Sequence, residues 1–204
     1  MDALIIFTKY PGKGKVKTRL GKTIGDDSAA EISKLISEHI FNVCLSLPEN
    51  DYKLFLFYDD PDSEQRVIKW VSEKFLVHLQ EGNDLGEKMK NAFDLVFENG
   101  YSRVLIIGTD VPDINFKLLL NAFNSLAENN IVIGPAFDGG YYLLGMDKFY
   151  HFLFNDIEWS SEKVLRQTLS RIAKHKLSYQ LLPELIDIDT QDDLNKWLSC
   201  KTKQ

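Results

Sequence analysis

The sequence predicts an α/β fold, on three observations. Short runs of consecutive apolar residues, such as Leu4–Phe7 and Val104–Ile107, have the length and continuity of strands buried on both faces. The two strongest runs pass at once into glycine-containing loops, the second through Gly108. Between the runs, apolar residues recur at steps of three and four, the period of a helix with one buried face.

Taken in order, the first strand, 4–7, leads into Thr8-Lys9-Tyr10-Pro11-Gly12-Lys13-Gly14-Lys15-Val16-Lys17-Thr18-Arg19-Leu20. No acidic residue falls between Asp2 and Asp26, so Lys9, Lys13, Lys15, Lys17, Arg19 and Lys22 make one cationic stretch. Glycines let backbone N–H groups approach an anion, and the cations supply charge. The alternative is a solvated basic loop. A Walker-type phosphate loop is excluded, because Pro11 and Val16 stand where it needs glycines.

Ala29, Ile32, Ile36, Ile40, Val43 and Leu47 mark an amphipathic helix, with Cys44 on its apolar stripe. Strands follow near 54–58 and 76–79, with a short helix through Val67, Trp70 and Val71 between them. Asp84 with Glu87 three residues on fits a helix N-cap and its reciprocal acid.

The strand 103–108 ends in Gly108-Thr109-Asp110-Val111-Pro112. It delivers a carboxylate to a strand's carboxyl end, where open α/β sheets bind ligands. The competing role for Asp110 is capping the helix after Pro112. That helix is read from Leu118, Leu119, Ala122, Phe123 and Leu126.

Strands near 131–133 and 141–145 flank Asp138-Gly139-Gly140, which suits a hairpin corner or the close approach of a ligand. Trp159-Ser160-Ser161 introduces a helix with Val164, Leu165, Leu169 and Ile172. A last strand is expected at 177–182. Asp187-Ile188-Asp189 then places two carboxylates on one side of extended chain. Thr190 and Asp193 form a capping-box pattern before Leu194, Trp197 and Leu198.

Composition narrows the function classes. The 204 residues are 44% hydrophobic and 26% charged, with a net charge of −6. These are ordinary values for a globular protein, and the sign opposes general nucleic-acid binding. No run reaches the length of a membrane span, and the N-terminus lacks a signal-peptide pattern, so a cytoplasmic protein is expected. Cys44 and Cys200 have no ligand partner at metal spacing, and His39, His78, His151 and His175 are scattered. With no linker or repeat, residues 1–204 are read as one domain.

Four loops thus follow strand ends: the basic loop, 108–110, 138–140 and 187–189. The first offers charge for phosphates; the second and fourth offer the hard oxygens that Mg²⁺ or Mn²⁺ requires. FTKYPGKGKVKTRL, QEGNDLGEKM, GTDVPDI, GPAFDGGYYLLG and DIDTQDDL, in this order and spacing, resemble the nucleotide-diphospho-sugar transferase superfamily, the GT-A fold. The resemblance is nearest to its DUF2064 branch, the glycosyltransferase-like "transferase 1, radical-SAM/selenodomain-associated" proteins.

It implies a three-layer sandwich: a mixed, mainly parallel sheet flanked by helices. It also implies a basic glycine loop for a nucleotide and a G-D-x-P turn whose aspartate binds metal. Thr109 lengthens that turn here, and the L-A-x-G-x-S opening of sugar pyrophosphorylases is missing.

Together, the residues and the resemblance give an expected site. Lys9, Pro11, Gly12, Lys15, Lys17, Thr18, Arg19, Asp84, Gly108, Thr109, Asp138, Gly139 and Gly140 contact the nucleotide. Asp110, Lys17 and Arg19 act in catalysis, and Asp110, Asp187 and Asp189 hold Mg²⁺ or Mn²⁺. The expected partners are a nucleotide or nucleotide-sugar and a small-molecule acceptor, with no nucleic acid and no membrane. The expected function is metal-dependent nucleotidyl transfer from a nucleoside triphosphate to a small phosphorylated acceptor; the first alternative is glycosyl transfer from a nucleotide-sugar, and the second is nucleotide binding without catalysis.

Overall fold

The structure, a computed structural model, describes residues 1–202. Its elements in order are β1 (Asp2–Thr8), α1 (Thr18–Ile24), α2 (Asp26–Leu45), β2 (Tyr52–Tyr58), α3 (Glu64–Trp70), β3 (Phe75–Leu79) and α4 (Leu85–Glu98). They continue with β4 (Val104–Gly108), α5 (Phe116–Ser125), β5 (Ile131–Pro135), β6 (Tyr141–Met146), α6 (Val164–Lys174), β7 (Tyr179–Leu181) and α7 (Gln191–Lys201). Among the described residues no helix is long and apolar enough to cross a membrane.

All seven strands share one sheet, ordered β3-β2-β1-β4-β6-β5-β7. Every neighbouring pair is parallel except those that β6 makes with β4 and β5. Both faces of the central strands are covered, which is why they read as continuous apolar runs. Leu4 and Ile6 of β1 pack with Ile36, Ile40 and Cys44 of α2 and with Leu119 and Phe123 of α5. Ala3 and Ile5 face the other way, onto Phe93 and Val96 of α4 and Ile172 of α6. The three-layer sandwich expected from the sequence is therefore present.

The expected strands all form, with shifted ends. The strand read at 177–182 shortens to Tyr179–Leu181, because Leu177 donates its N–H to Ile172 O at the end of α6. One helix was not foreseen. α1 starts inside the basic stretch at Thr18 and buries Leu20 and Gly21.

The strand order fixes where a ligand can enter. From β1 the chain builds outward to β2 and β3 on one side and to β4 on the other. The loops after β1 and β4 therefore diverge and leave a crevice above their carboxyl ends, the switch point at which open α/β sheets bind ligands. Thr8 and Thr109 stand at its floor and share a buried hydrogen bond of 3.0 Å.

Candidate active site

The loop after β1 is pinned by Val16 and Leu20, both buried. Between them Lys17 adopts a left-handed conformation, φ 45° and ψ 44°, which is uncommon for a residue with a Cβ. That turn sends its side chain inward, where it is 3% exposed. Its Nζ donates to Asp110 Oδ1 at 2.5 Å and to Ile188 O at 2.5 Å. One ammonium thus joins the loops after β1 and β4 to the extended segment after β7. Ile188 N–H donates to Asp110 O at 3.1 Å, and Trp197 Nε1 of α7 donates to Asp113 Oδ2 at 3.1 Å, which fixes that segment against the loop after β4.

The other loop cations also rest on carboxylates. Arg19 reaches Asp189 at 3.3 Å, Lys15 reaches Asp60 at 3.0 Å, Lys13 reaches Asp27 at 2.6 Å, and Lys9 lies 3.8 Å from Asp59. The hydrogen bond from Lys15 holds the Asp60 carboxyl below its ordinary range. Most of these pairs are exposed and contribute little to stability, so an anion can displace them cheaply.

Asp110 does not cap the helix that follows. Asn115 does so, accepting from Leu118 N–H at 3.1 Å. Asp110 is left to meet Lys17, with half of its side chain exposed to the crevice. Asp187 lies beside it, partly buried at the wall of the crevice. Burial, and then the Asp110 charge, push its carboxyl up from 3.8 to about 7, while Lys17 opposes the shift; Asp138 and Asp189 add smaller repulsions.

That shift has a testable sign. The folded state holds the Asp187 proton more tightly than the unfolded chain does, so this contribution to stability is complete below about pH 4. It is lost as pH rises through about 7. At about 1.4 kcal/mol per unit, a few kcal/mol are at stake. In EDTA, Asp187→Asn is expected to melt progressively higher than the parent between pH 5 and pH 8. Melting curves that stay parallel across this range would refute the burial of a titrating Asp187.

Above these groups opens a cavity of about 690 Å³, lined by Lys9, Thr18, Arg19, Asp138, Gly140, Asp187 and Asp189. Leu85, Met89, Tyr141, Trp159, Ser160, Ser161, Glu162 and Val164 also line it. A second cavity of about 400 Å³ shares Arg19, Asp138, Asp187 and Asp189 and adds Asp110 and Lys196. The two meet at the acidic centre. The size of the larger suits a nucleotide-sized ligand. Among the described residues, no three Asp, Glu, His or Cys side chains are already set to hold a metal ion.

The expected residues divide accordingly. Lys9, Lys17, Thr18, Arg19, Asp110, Asp138, Gly140, Asp187 and Asp189 converge at the two cavities or their floor. Pro11, Gly12 and Lys15 lie on the outer limb of the loop, where Lys15 turns to Asp60. Asp84 caps α4 through Glu87 N–H at 2.8 Å, and the acid of Glu87 returns to Asn83 N–H rather than to Asp84. Thr109 is buried on Thr8, beside Gly108 at the end of β4. Gly139, at φ 87°, makes the hairpin corner, and its carbonyl accepts from Leu165 N–H at 3.0 Å.

The wall from Leu85, Met89 and Trp159 was missed in the sequence. Its one local sign is Gly86, a glycine in the first turn of a helix.

Helices on both faces of a mixed, mainly parallel sheet, with a basic glycine-containing loop and carboxylates at its switch point, match the nucleotide-diphospho-sugar transferase fold. The chain belongs to the family described as "Uncharacterized protein conserved in bacteria (DUF2064)", whose model matches residues 44–161. It is 36% identical to a crystal structure from Desulfovibrio desulfuricans G20, provisionally named a nucleotide-diphospho-sugar transferase. That match covers 97% of this chain and 87% of the other, with a TM-score of 0.90.

More distant in sequence is the 4-diphosphocytidyl-2C-methyl-D-erythritol synthase of Anaerococcus prevotii DSM 20548. It is 13% identical with a TM-score of 0.62, over 97% of this chain and 96% of that one. Rv0371C of Mycobacterium tuberculosis H37Rv, solved with manganese, is 10% identical with a TM-score of 0.56, over 98% of this chain and 99% of the other. These two likenesses concern the fold alone. No protein of curated function matches the chain.

Proposed function

We propose that this protein is a divalent-metal-dependent nucleotidyltransferase: an acceptor phosphate oxygen attacks the α-phosphorus of a nucleoside triphosphate. A new P–O bond forms there, and the α–β bridging bond breaks. Its electron pair leaves on pyrophosphate. The observation that carries the reading is Lys17. A buried ammonium is held on Ile188 O and behind the Asp110 carboxylate that lines the smaller cavity, and Arg19 lines both cavities.

Charge development decides the roles. Negative charge builds on the oxygens around the α-phosphorus and on the leaving group, so fixed cations there lower the barrier. Lys17 is a point charge held in place, and Arg19 offers two parallel donors to phosphate oxygens. Arg19 is 73% exposed and leaves Asp189 at little cost.

The donor set fits a hard divalent cation. Asp110 and Asp187 are carboxylates within mutual electrostatic reach, and Mg²⁺ commonly takes one or two carboxylates and completes its shell with phosphates and water. Asp110, with Asp187 or Asp189, would hold it, and when bound it would offset the phosphate charge.

Incubation with each of the four triphosphates, Mg²⁺ and an acceptor mixture tests the reading. One triphosphate is expected to yield pyrophosphate only when acceptor is present. Arg19→Ala is expected to weaken that triphosphate by ~1–3 kcal/mol, the scale of a lost charged hydrogen bond. Calorimetry showing unchanged affinity in Lys15→Ala, Lys17→Ala and Arg19→Ala alike would return the loop to a solvated surface. Glycosyl transfer is the second reading, favoured by the name given to the 36% identical structure. Diphosphate release from a nucleotide-sugar, with no turnover of triphosphates, would select it.

A further inference from the structure

We infer that Tyr10 is the positioning residue of the basic loop: its ring, docked on Arg66 and Trp70 of α3, keeps the outer limb of the loop in place when a polyphosphate draws the lysines away from their carboxylates. The inference rests on the nucleotide reading proposed above and deepens it.

The outer limb needs such an anchor. Its glycines leave the backbone free to move, and Gly14 already stands at φ 68°. The inner limb is held by buried Val16 and Leu20 and by Lys17 on Asp110 and Ile188 O. On the outer limb Lys9, Lys13 and Lys15 rest on Asp59, Asp27 and Asp60. The three lysine side chains are 62–66% exposed, so these pairs are weak. A polyphosphate that recruits those lysines also dissolves the pairs. What holds the limb after binding must therefore be something other than a loop cation.

Tyr10 meets that requirement. It is half-buried and packs against the core. Its ring meets the Trp70 indole edge-on, with centroids 5.7 Å apart and planes at 78°, a favoured aromatic geometry. The guanidinium carbon of Arg66 lies 4.8 Å from the centre of the Tyr10 ring, within cation–π range. Arg66 and Trp70 are four residues apart on α3 and so present neighbouring side chains to the ring.

The anchor is itself fixed. Trp70 Nε1 donates to Glu38 Oε1 of α2 at 2.9 Å, and Phe41 of α2 packs against the indole with centroids 5.0 Å apart. Tyr10 thus ties the loop to α3, and Trp70 ties α3 to α2. The backbone carries this restraint to the lysines. Gly12 N–H donates to Tyr10 O at 2.7 Å, and Lys15 N–H donates to Gly12 O at 2.9 Å. Lys9, the residue before Tyr10, lines the larger cavity. Arg66 supplies its charge from outside the loop, so it can grip the ring while the lysines turn to phosphate.

The test uses the full chain and inorganic tripolyphosphate as the probe. By calorimetry, Tyr10→Ala is expected to bind tripolyphosphate at least tenfold more weakly than the parent. Arg66→Ala should bind it about threefold more weakly, the scale of an exposed cation–π contact. Tyr10→Phe, which keeps the ring, should recover binding to within threefold of the parent. Without ligand, trypsin is expected to cut after Lys13 and Lys15 at least tenfold faster in Tyr10→Ala. In turnover the KM for the triphosphate should rise with the dissociation constant. The kcat should change less than threefold, because Lys17 and Asp110 are pinned independently.

A Tyr10→Ala chain that melts lower yet keeps its tripolyphosphate affinity and its trypsin resistance would reduce Tyr10 to core packing and overturn the inference. Tyr10→Phe as weak as Tyr10→Ala would also overturn it. If Tyr10→Ala fails to fold, exposed Arg66 decides: unchanged affinity in Arg66→Ala overturns the inference, and the expected loss supports it. Triphosphate turnover in the parent with an unchanged KM in Tyr10→Ala would overturn this inference alone. Polyphosphate binding that depends on Tyr10, without pyrophosphate release from any triphosphate, would sink the proposed reaction and leave the anchor standing. A parent that binds no polyphosphate would overturn both.

Discussion

Lys17→Met is expected to fold and to turn over about 10²–10³-fold more slowly than the parent, the scale on which a fixed electrostatic group is lost from a transition state. Methionine fills much of the same buried channel without the charge. Two partners then lose their donor: Ile188 O and the Asp110 carboxylate. Asp110 is half exposed and can be rehydrated, so the cost falls well short of the ~3–5 kcal/mol of a fully buried broken pair; about 1–2 kcal/mol is expected. A structural strut would behave differently: the variant would melt lower yet keep its kcat. Single-turnover rates with saturating triphosphate, beside melting curves, separate the two. The variant should also keep its Mn²⁺ affinity when no nucleotide is present, because Asp110 and Asp187 remain and Lys17 no longer competes for Asp110.

What could be read in the sequence follows from how local each cause is. Leu4–Phe7 and Val104–Ile107 announce strands because burial on both faces demands unbroken apolar residues. Thr190 and Asp193 announce a cap because both partners lie within one turn, and the structure shows both bonds. α1 was invisible for the converse reason. It follows a left-handed Lys17, has no side-chain cap, and is held by burial of Leu20 rather than by a local signal.

The candidate site was half legible. Strand ends and charge located the loops, but the pairing of Lys17 with Asp110 spans 93 positions and with Ile188 spans 171. Trp159 read only as a residue before a helix, because the glycine that receives it, Gly86, lies on another element. Asp84 shows a local rule at work: its side chain accepts from Glu87 N–H, as the N-cap pattern predicts.

Asp110→Asn is the other substitution with a large expected effect. The amide keeps the size of the side chain and an oxygen that can accept from Lys17, while Ile188 O still holds the same ammonium. Folding should therefore survive, with Asn115 still capping α5. The negative charge is lost, and with it the hard anionic ligand at the switch point, so metal-dependent turnover should fall about 10²–10³-fold and Mn²⁺ should bind more weakly.

A second readout does not depend on turnover. Asp110 is, after burial, the main group raising the Asp187 carboxyl. Without that charge Asp187 ionises at lower pH, and the alkaline loss of stability in EDTA moves to lower pH with it. A substitution that merely loosened the loop would lower the melting temperature at every pH and leave that midpoint in place. If Asp110→Asn binds Mn²⁺ and nucleotide as the parent does and leaves the midpoint unmoved, Asp110 does not belong to the active centre, and Lys17 would then be held at the crevice floor for structural reasons alone.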